Sequence, residues 1–234
     1  MEQKSDVQYR AEKEYKNSRE KFYLLLREII SNSIHAVLIR QTKEHNYKPK
    51  INLKVEIDDK HCDIKLTDNG EGFTKRNSEY FEKLDVRNKE KEELNLHPLG
   101  QGRLAIIYFS DDAFYETVYK GQDGKFKRRS IYYPFDTKKT FGFDLFGEED
   151  VNTNDSYTIL SIKINSQQKL SRARTFFNKC GEIALFKQWF IETFFPFIIT
   201  NDELEISLSL NGLKETIKKH SLESESDYEN FNLI

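Results

Sequence analysis

A carboxylate and an amide lie one helical turn apart in the segment 26–36, which is otherwise apolar. Glu28 and Asn32 are four residues apart, and Ala36 continues the same stripe of a helix. An amide oxygen can ligate Mg²⁺, a hard cation that takes oxygen ligands, and a carboxylate one turn away can orient or deprotonate a water. A polar pair beside a buried stripe must be satisfied or be used. Taken alone, such a pair is more often structural than catalytic.

A second motif places a carboxylate at the end of a strand. Cys62, Ile64 and Leu66 alternate as in a half-buried strand. Asp68 continues their parity, so its side chain is predicted to point inward. A buried carboxylate without a partner is costly or has a shifted pKa, and no Lys or Arg shares its face of the strand. A ligand donor, such as the exocyclic amine of adenine, would satisfy it.

Two pairs of glycines complete the pattern. Gly70 and Gly72 follow Asp68, and glycine there permits positive φ and close approach of the backbone to a ligand. The same residues also fit a simple turn that ends the strand, but the inward parity of Asp68 and the second glycine favour a binding site. Gly100 and Gly102 lead into an apolar helix, whose first N–H groups can bind phosphate. A lone Gly-x-Gly is a plain loop just as often.

In the order Glu-x-x-x-Asn, Asp-x-Gly-x-Gly and Gly-x-Gly, the three motifs resemble the GHKL ATPases. That superfamily includes heat-shock chaperones, MutL mismatch-repair proteins, type II topoisomerases, Microrchidia proteins and histidine kinases. The string 27–33 is similar to the chaperone branch, whereas 68–73 is closer to the MutL, topoisomerase and Microrchidia branches. The resemblance covers residues 20–165 and implies the Bergerat fold. This is an α+β, two-layer α/β sandwich with a mostly antiparallel sheet backed by helices, and ATP lies under a lid, here about 73–101.

The resemblance also implies roles for individual residues. Glu28 matches the catalytic general base, Asn32 matches the Mg²⁺ ligand that bridges to the phosphates, and Asp68 matches the adenine-binding carboxylate. The remaining implied nucleotide-binding positions are Ala36, Gly70, Gly72, Gly100, Gly102 and Thr158. The implied cofactors are ATP and Mg²⁺.

Three positions depart from the family pattern or align loosely with it. Tyr157 and Thr158 stand where a late strand usually carries Gly-Thr. Thr158 has inward parity, toward adenine or Asp68, whereas Tyr157 replaces the glycine that permits close backbone approach. His35 stands where many relatives have Asp, and it either modulates the general base or only caps the pocket wall. Lys89 lies where some relatives carry a lid lysine near phosphate.

Composition agrees with a soluble, cytoplasmic domain. The chain has 234 residues and a formal net charge of −2, so no broad basic field indicates direct binding to nucleic acid. Cys62 and Cys180 are too few and too far apart for a disulfide framework or a zinc site. No apolar run approaches the roughly 18 residues of a membrane span, and residues 1–20 lack the core of a signal peptide.

The element pattern predicts three regions: a charged helical arm over 1–19, an ATP-binding domain over 20–165, and a C-terminal helix and hairpin over 166–234 that pack on it or follow it. Residues 134–156 are predicted to be irregular. Helices are expected over 20–41, up to 109 after the lid, and over 171–199. Strands are expected over 51–57, 62–67, 113–119, 126–133, 157–164, 204–210 and 213–218.

The function that follows is Mg²⁺-dependent ATP hydrolysis by a module that acts as a nucleotide-gated dimerisation switch or clamp. The charged arm and the long charged lid favour a homodimer that closes with ATP, and an output domain or protein client is expected outside this chain. One alternative is a nucleotide-sensing module that hardly hydrolyses ATP. Another is a histidine kinase catalytic domain, against which Glu28 argues, because kinases usually lack that carboxylate.

Overall fold

One eight-stranded sheet organises the protein in the computed structural model, which describes residues 7–18, 21–82, 89–94, 102–133 and 144–224. Its strands are β1 (Lys50–Ile57), β2 (Cys62–Asp68), β3 (Asp112–Lys120), β4 (Phe126–Tyr133), β5 (Asp144–Asp150), β6 (Tyr157–Ile164), β7 (Glu205–Leu210) and β8 (Leu213–Ile217). The order across the sheet is β5-β4-β3-β6-β2-β1-β7-β8. Neighbouring strands are antiparallel except for the parallel pair β1 and β7.

The helices of the described part of the chain follow the predicted layout in most places. They are α1 (Val7–Tyr15), followed by a 3₁₀ turn (Lys16–Ser18), then α2 (Tyr23–Lys43), α3 (Lys75–Glu82), α4 (Lys89–Glu93), α5 (Gly102–Phe109), α6 (Gln167–Cys180), α7 (Ile183–Ile199) and α8 (Lys219–Ser224). A mostly antiparallel sheet backed by helices confirms the expected fold class. Among the described residues, none of the helices has by itself the length and apolar character that a bilayer span requires.

In the described part of the chain, helices cover one face of the central strands. In β1 every second side chain is buried, including Leu53 and Val55, while Lys54 and Glu56 between them are exposed. This alternation is typical of an antiparallel sheet with one solvated face. Helix α2 lies on the covered face, where its apolar stripe contacts β1, β2 and α5. The long helix and the end of β2 are therefore held together by the core itself.

Two sequence predictions about secondary structure are wrong. The helix predicted over 171–199 is two helices, because the chain turns at Gly181, which has φ +53. The interval 134–156, predicted to be irregular, contains strand β5. Its sequence Asp-Leu-Phe-Gly-Glu-Glu-Asp has no alternation of apolar residues, and its pairing with β4 is interrupted between Arg128 and Ser130. An edge strand of this composition leaves little periodic signal.

Both ends of the described chain join the same core. Strand β7 pairs with β1, so the segment after residue 166 continues the central sheet. At the other end, Ala11 and Tyr15 of the charged arm are buried, and the Tyr15 ring lies 5.7 Å from that of Tyr108 and 5.6 Å from that of Phe109. The described part of the arm thus packs on α5 of its own chain.

We predict that Phe22→Ala lowers the free energy of unfolding by about 3–5 kcal/mol, because the ring is fully buried. Phe22 immediately precedes α2, and its ring lies 5.9 Å from each of the rings of Phe109 and Phe177, so it joins α2 to α5 and α6. Urea unfolding measures the loss. The control is Leu185→Ala, whose side chain is 48% exposed. Equal losses in the two variants would contradict this assignment.

Candidate functional site

Asp68 is buried at the end of β2, in agreement with its predicted inward parity. Its Oδ2 accepts a hydrogen bond from the Ser33 hydroxyl at 2.8 Å, and its Oδ1 accepts one from the Gly70 N–H at 2.9 Å. Burial raises the pKa of Asp68 to about 6, against the lowering effect of these two hydrogen bonds. The chain therefore supplies two donors that the sequence did not reveal. Each carboxylate oxygen keeps capacity for a further donor.

The loop after β2 packs closely between α2 and β3. A Cβ atom added at Gly70 would lie 2.6 Å from the Ala36 Cβ and 2.8 Å from Asp68 Oδ1. Gly72 has φ +74, and its added Cβ would lie 2.5 Å from the Val118 carbonyl oxygen. Glycine is required at both positions by close approach, and at Gly72 also by the backbone conformation. Ala36 is the small residue of α2 that lets the loop come so near.

A pair of threonines adjoins Asp68 on the sheet. Thr158 is buried and lies opposite Asp68 in the pairing of β2 with β6. Its hydroxyl is 3.2 Å from that of Thr117 on β3. The Thr117 hydroxyl also accepts the Phe73 N–H at 3.0 Å and donates to the Tyr157 carbonyl at 3.1 Å. Thr117 was not singled out from the sequence, although it occupies a buried polar position on a correctly predicted strand.

Glu28 and Asn32 lie one turn apart on α2, at the more open end of the site. The Glu28 side chain is 24% exposed and lies 3.4 Å from the Arg27 guanidinium, while Asn32 is exposed. Lys91 of α4 donates from Nζ to Asn32 Oδ1 at 3.0 Å. Burial lowers the pKa of Lys91 to about 8, although the nearby carboxylates of Glu28 and Glu71 act to raise it. A cation therefore already contacts the amide oxygen.

The described pieces of the predicted lid are helical and tied to α2. Lys43, near the end of α2, lies 2.6 Å from a Glu71 carboxylate oxygen and 3.3 Å from one of Glu90 in α4. Arg76 of α3 is 3.2 Å from the same Glu90 oxygen. Lys89, which the resemblance placed near phosphate, is exposed. The lysine that contacts the predicted site is thus Lys91 and not Lys89.

Of the two glycines predicted at the end of the lid, the structure describes one. Gly102 is the first residue of α5, where the sequence predicted the start of a helix, and the helix then buries its apolar run from Leu104 to Phe109. Gly100 lies outside the described residues. The phosphate-binding role of both positions stays a prediction.

His35 is buried on the side of α2 that faces α7. Its ring lies 6.1 Å from that of Phe197, and its Nδ1 has no hydrogen-bond partner among the described residues. Burial, and secondarily the positive charge of Lys91, lower the pKa of His35 to about 3. The ring is therefore neutral near neutral pH. The His35 ring thus packs against α7, and both of its expected roles, toward the general base or in the pocket wall, stay predictions.

The oxygen donors of the site fit a metal that arrives with a ligand. Within the described part of the chain, no group of three or more His, Cys, Asp or Glu side chains could hold a metal ion. Asn32 offers one amide oxygen, with the Glu28 carboxylate one turn away. Mg²⁺ commonly takes only one or two protein ligands and completes its shell with substrate phosphates and water. The donor set thus fits a nucleotide-bound Mg²⁺ better than a resident metal.

No protein-family model and no curated protein matches this sequence. Among solved structures, the chain is similar to the crystal structure of the ATPase region of Saccharomyces cerevisiae topoisomerase II, with a TM-score of 0.50 and 15% identity. The match covers 89% of this chain and 52% of that one, so the chain spans about half the length of the structure it matches.

At this identity the likeness shows the fold alone, a mostly antiparallel sheet backed by helices as in that ATPase region. The resemblance of the motifs to the GHKL superfamily agrees with this fold, and membership of that superfamily stays a prediction. Its finer assignment to the chaperone, MutL or Microrchidia branch stays a prediction.

We predict that His35→Leu gains stability relative to the wild type as pH falls from 7.5 to 4, by up to about 3 kcal/mol. The folded pKa of His35 lies below the unfolded value of 6.5. In that window the unfolded chain takes up a proton that the folded protein excludes, so the wild type loses this contribution as pH falls through 6.5 towards 4.

Urea unfolding at both pH values measures the difference, with His45→Leu as the control because the His45 side chain is exposed. An equal effect of His35→Leu at pH 7.5 and pH 4 would mean that the pKa of His35 is the same in the folded protein as in the unfolded chain, which contradicts the prediction.

Proposed function

We propose that the protein binds ATP at the end of β2 and hydrolyses it with Mg²⁺. The observation that carries this proposal is the buried Asp68 carboxylate, which is oriented by Ser33 and Gly70 and faces Thr158 across the sheet. The GHKL-type fold supports nucleotide binding in general. A carboxylate held in this way is oriented to accept a hydrogen bond from the exocyclic amine of adenine.

The polar atoms around Asp68 define the adenine end. With its pKa raised to about 6, Asp68 is mostly ionised at neutral pH and acts as an acceptor. The Thr158 and Thr117 hydroxyls add groups that can donate or accept. Gly70 and Gly72 leave no side chain between the loop and the elements that flank it. A base with an amine at its edge matches the carboxylate acceptor and the two hydroxyls.

The opposite end of the site would act on the phosphates. Asn32 Oδ1 would hold the Mg²⁺, which neutralises phosphate charge when bound. Glu28, one turn away on α2, would accept a proton from the attacking water as general base. The N–H groups that open α5 at Gly102 would face the phosphates, as N–H groups at helix starts do in other anion sites.

A second candidate function is nucleotide sensing with little hydrolysis. It is favoured by one contact, that of Lys91 with Asn32 Oδ1, because a lysine there interferes with a catalytic metal. A histidine kinase remains less favoured, since Glu28 provides a carboxylate for water attack. Nucleotide-gated homodimerisation, an output domain or client, and a cytoplasmic location stay predictions.

We predict that Asp68→Asn weakens ATP and ADP binding by about 10- to 150-fold, because a charge-assisted hydrogen bond contributes about 1.5–3 kcal/mol. Isothermal titration calorimetry measures the affinity, and circular dichroism checks that the fold is retained. The control is Asp63→Asn on the same strand, since the Asp63 side chain is 46% exposed and lies on the other face. Wild-type affinity in Asp68→Asn would remove Asp68 from the site.

We predict that Glu28→Gln retains Mg²⁺·ATP binding but hydrolyses ATP about 10²- to 10⁴-fold more slowly, the range expected for loss of a general base. Phosphate release measures the rate, and Glu56→Gln, at an exposed position of β1, is the control. If Glu28→Gln matches the wild-type rate, the general base lies elsewhere. If the wild type binds ATP without releasing phosphate, the sensing function takes precedence.

A further inference from the structure

Lys91 places an ammonium group on the atom to which the proposed function assigns the metal. Its Nζ lies 3.0 Å from Asn32 Oδ1. Both the Glu28 and the Glu71 carboxylates attract this charge. The ammonium thus has an oxygen ligand and nearby carboxylates, the kind of surroundings that a small cation would have at the same place.

The ammonium is delivered by a helix that is itself anchored. Next to Lys91 on α4, the Glu90 carboxylate lies 3.3 Å from Lys43 Nζ and 3.2 Å from the Arg76 guanidinium. Lys43 is in turn bound to Glu71 in the loop after β2. Helix α4 therefore contacts α2 at two places, through Lys91 at Asn32 and through Glu90 at Lys43. Because Lys91 contacts Asn32 and the adjacent Glu90 is bound to Lys43 and Arg76, Lys91 does not behave as a freely moving surface lysine.

A bound Mg²⁺ and the Lys91 ammonium cannot share the amide oxygen of Asn32. A Mg²⁺ ion lies about 2.0–2.1 Å from its oxygen ligands, so the metal and the ammonium would meet at one oxygen atom. Two positive charges this close repel each other even where the site is open to solvent. Entry of the metal at Asn32 requires Lys91 to leave.

We propose that Lys91 is a built-in competitor of Mg²⁺, which occupies Asn32 while the site is free of metal and leaves when Mg²⁺ enters with the nucleotide. The inference rests on the proposed function of Asn32. In this proposal Asn32 Oδ1 contacts either Lys91 of the docked helix α4 or the Mg²⁺ ion, but not both at once. Nucleotide without metal is compatible with docked Lys91, whereas nucleotide with Mg²⁺ is not. Metal loading is then coupled to the position of α4.

The test compares how much Mg²⁺ each variant needs to bind ADP tightly. Calorimetry gives the ADP affinity over a series of Mg²⁺ concentrations, beginning in EDTA, and the midpoint of the series is the readout. Lys91→Gln should shift this midpoint to about tenfold lower Mg²⁺, because a larger fraction of the protein is competent to take the metal. Lys91→Arg keeps the positive charge and should need at least as much Mg²⁺ as the wild type.

The matched control is Lys75→Gln, which removes the same charge from an exposed position of the same lid segment. Its midpoint should equal that of the wild type. A second readout needs no turnover: the side-chain amide resonance of Asn32 should shift in Lys91→Gln, and it should shift in the wild type when Mg²⁺ and ADP are added together.

The outcomes separate the inference from the function on which it rests. If the wild type binds no ADP at any Mg²⁺ concentration, the proposed function fails and the role of Lys91 fails with it. If the wild type binds ADP but Lys91→Gln has an unchanged or higher Mg²⁺ midpoint, the competitor role is overturned and nucleotide binding stands. A loss of ADP affinity in Lys91→Gln that is equal with and without Mg²⁺ would identify Lys91 as a phosphate contact instead.

Discussion

The hydrogen bond between Ser33 and Asp68 is the contact on which the arrangement of the site depends. It joins the long helix α2 to the end of the central strand β2 inside the core. A buried carboxylate without donors would be costly, so this contact and the one from Gly70 are conditions for placing Asp68 there at all. Because Ser33 follows Asn32 in the chain, the same turn of α2 that holds Asp68 also presents the amide oxygen to the open end of the site.

A second buried polar residue fixes the loops around that contact. The Arg40 guanidinium donates to the Asn69 carbonyl at 2.7 Å and to the Ser156 carbonyl at 3.1 Å, and it lies 2.6 Å from Asp155. It therefore joins the loop after β2, the segment before β6 and the end of α2. Buried carbonyl groups need such partners. Helix α2 thus carries the proposed catalytic face and also the two side chains that hold the binding loops in place.

Much of this arrangement could be predicted from local patterns. The inward parity of Asp68, the span of α2 and the hairpin of β7 and β8 follow from alternation, helical spacing and an Asn-Gly turn, all of which are properties of neighbouring residues. The partners of Asp68 could not be read in this way. Ser33 lies 35 positions away in the chain, and its hydroxyl is one of many that periodicity cannot rank.

The same limit applies to the residues whose role depends on tertiary placement. Lys91 belongs to a segment of mixed basic and acidic side chains, so no pattern in the sequence distinguishes it from Lys89. Thr117 becomes notable only because β6 lies between β2 and β3 and brings the hydroxyl against Thr158. Strand β5 could not be predicted from the sequence, because its segment has one glycine and several acidic residues and shows no alternation of apolar and polar side chains.

Tyr157 stands where GHKL ATPases usually carry a glycine, and its side chain does not point toward Asp68. Successive side chains of a strand point to opposite faces, so Tyr157 lies on the face opposite to Thr158. There its hydroxyl donates to a Glu116 carboxylate oxygen at 2.9 Å, and Glu116 likewise precedes the inward Thr117. The Tyr157 carbonyl, meanwhile, accepts from the Thr117 hydroxyl. The bulk of the ring is thus directed away from Asp68, and the backbone of β6 supports the threonine pair without a glycine.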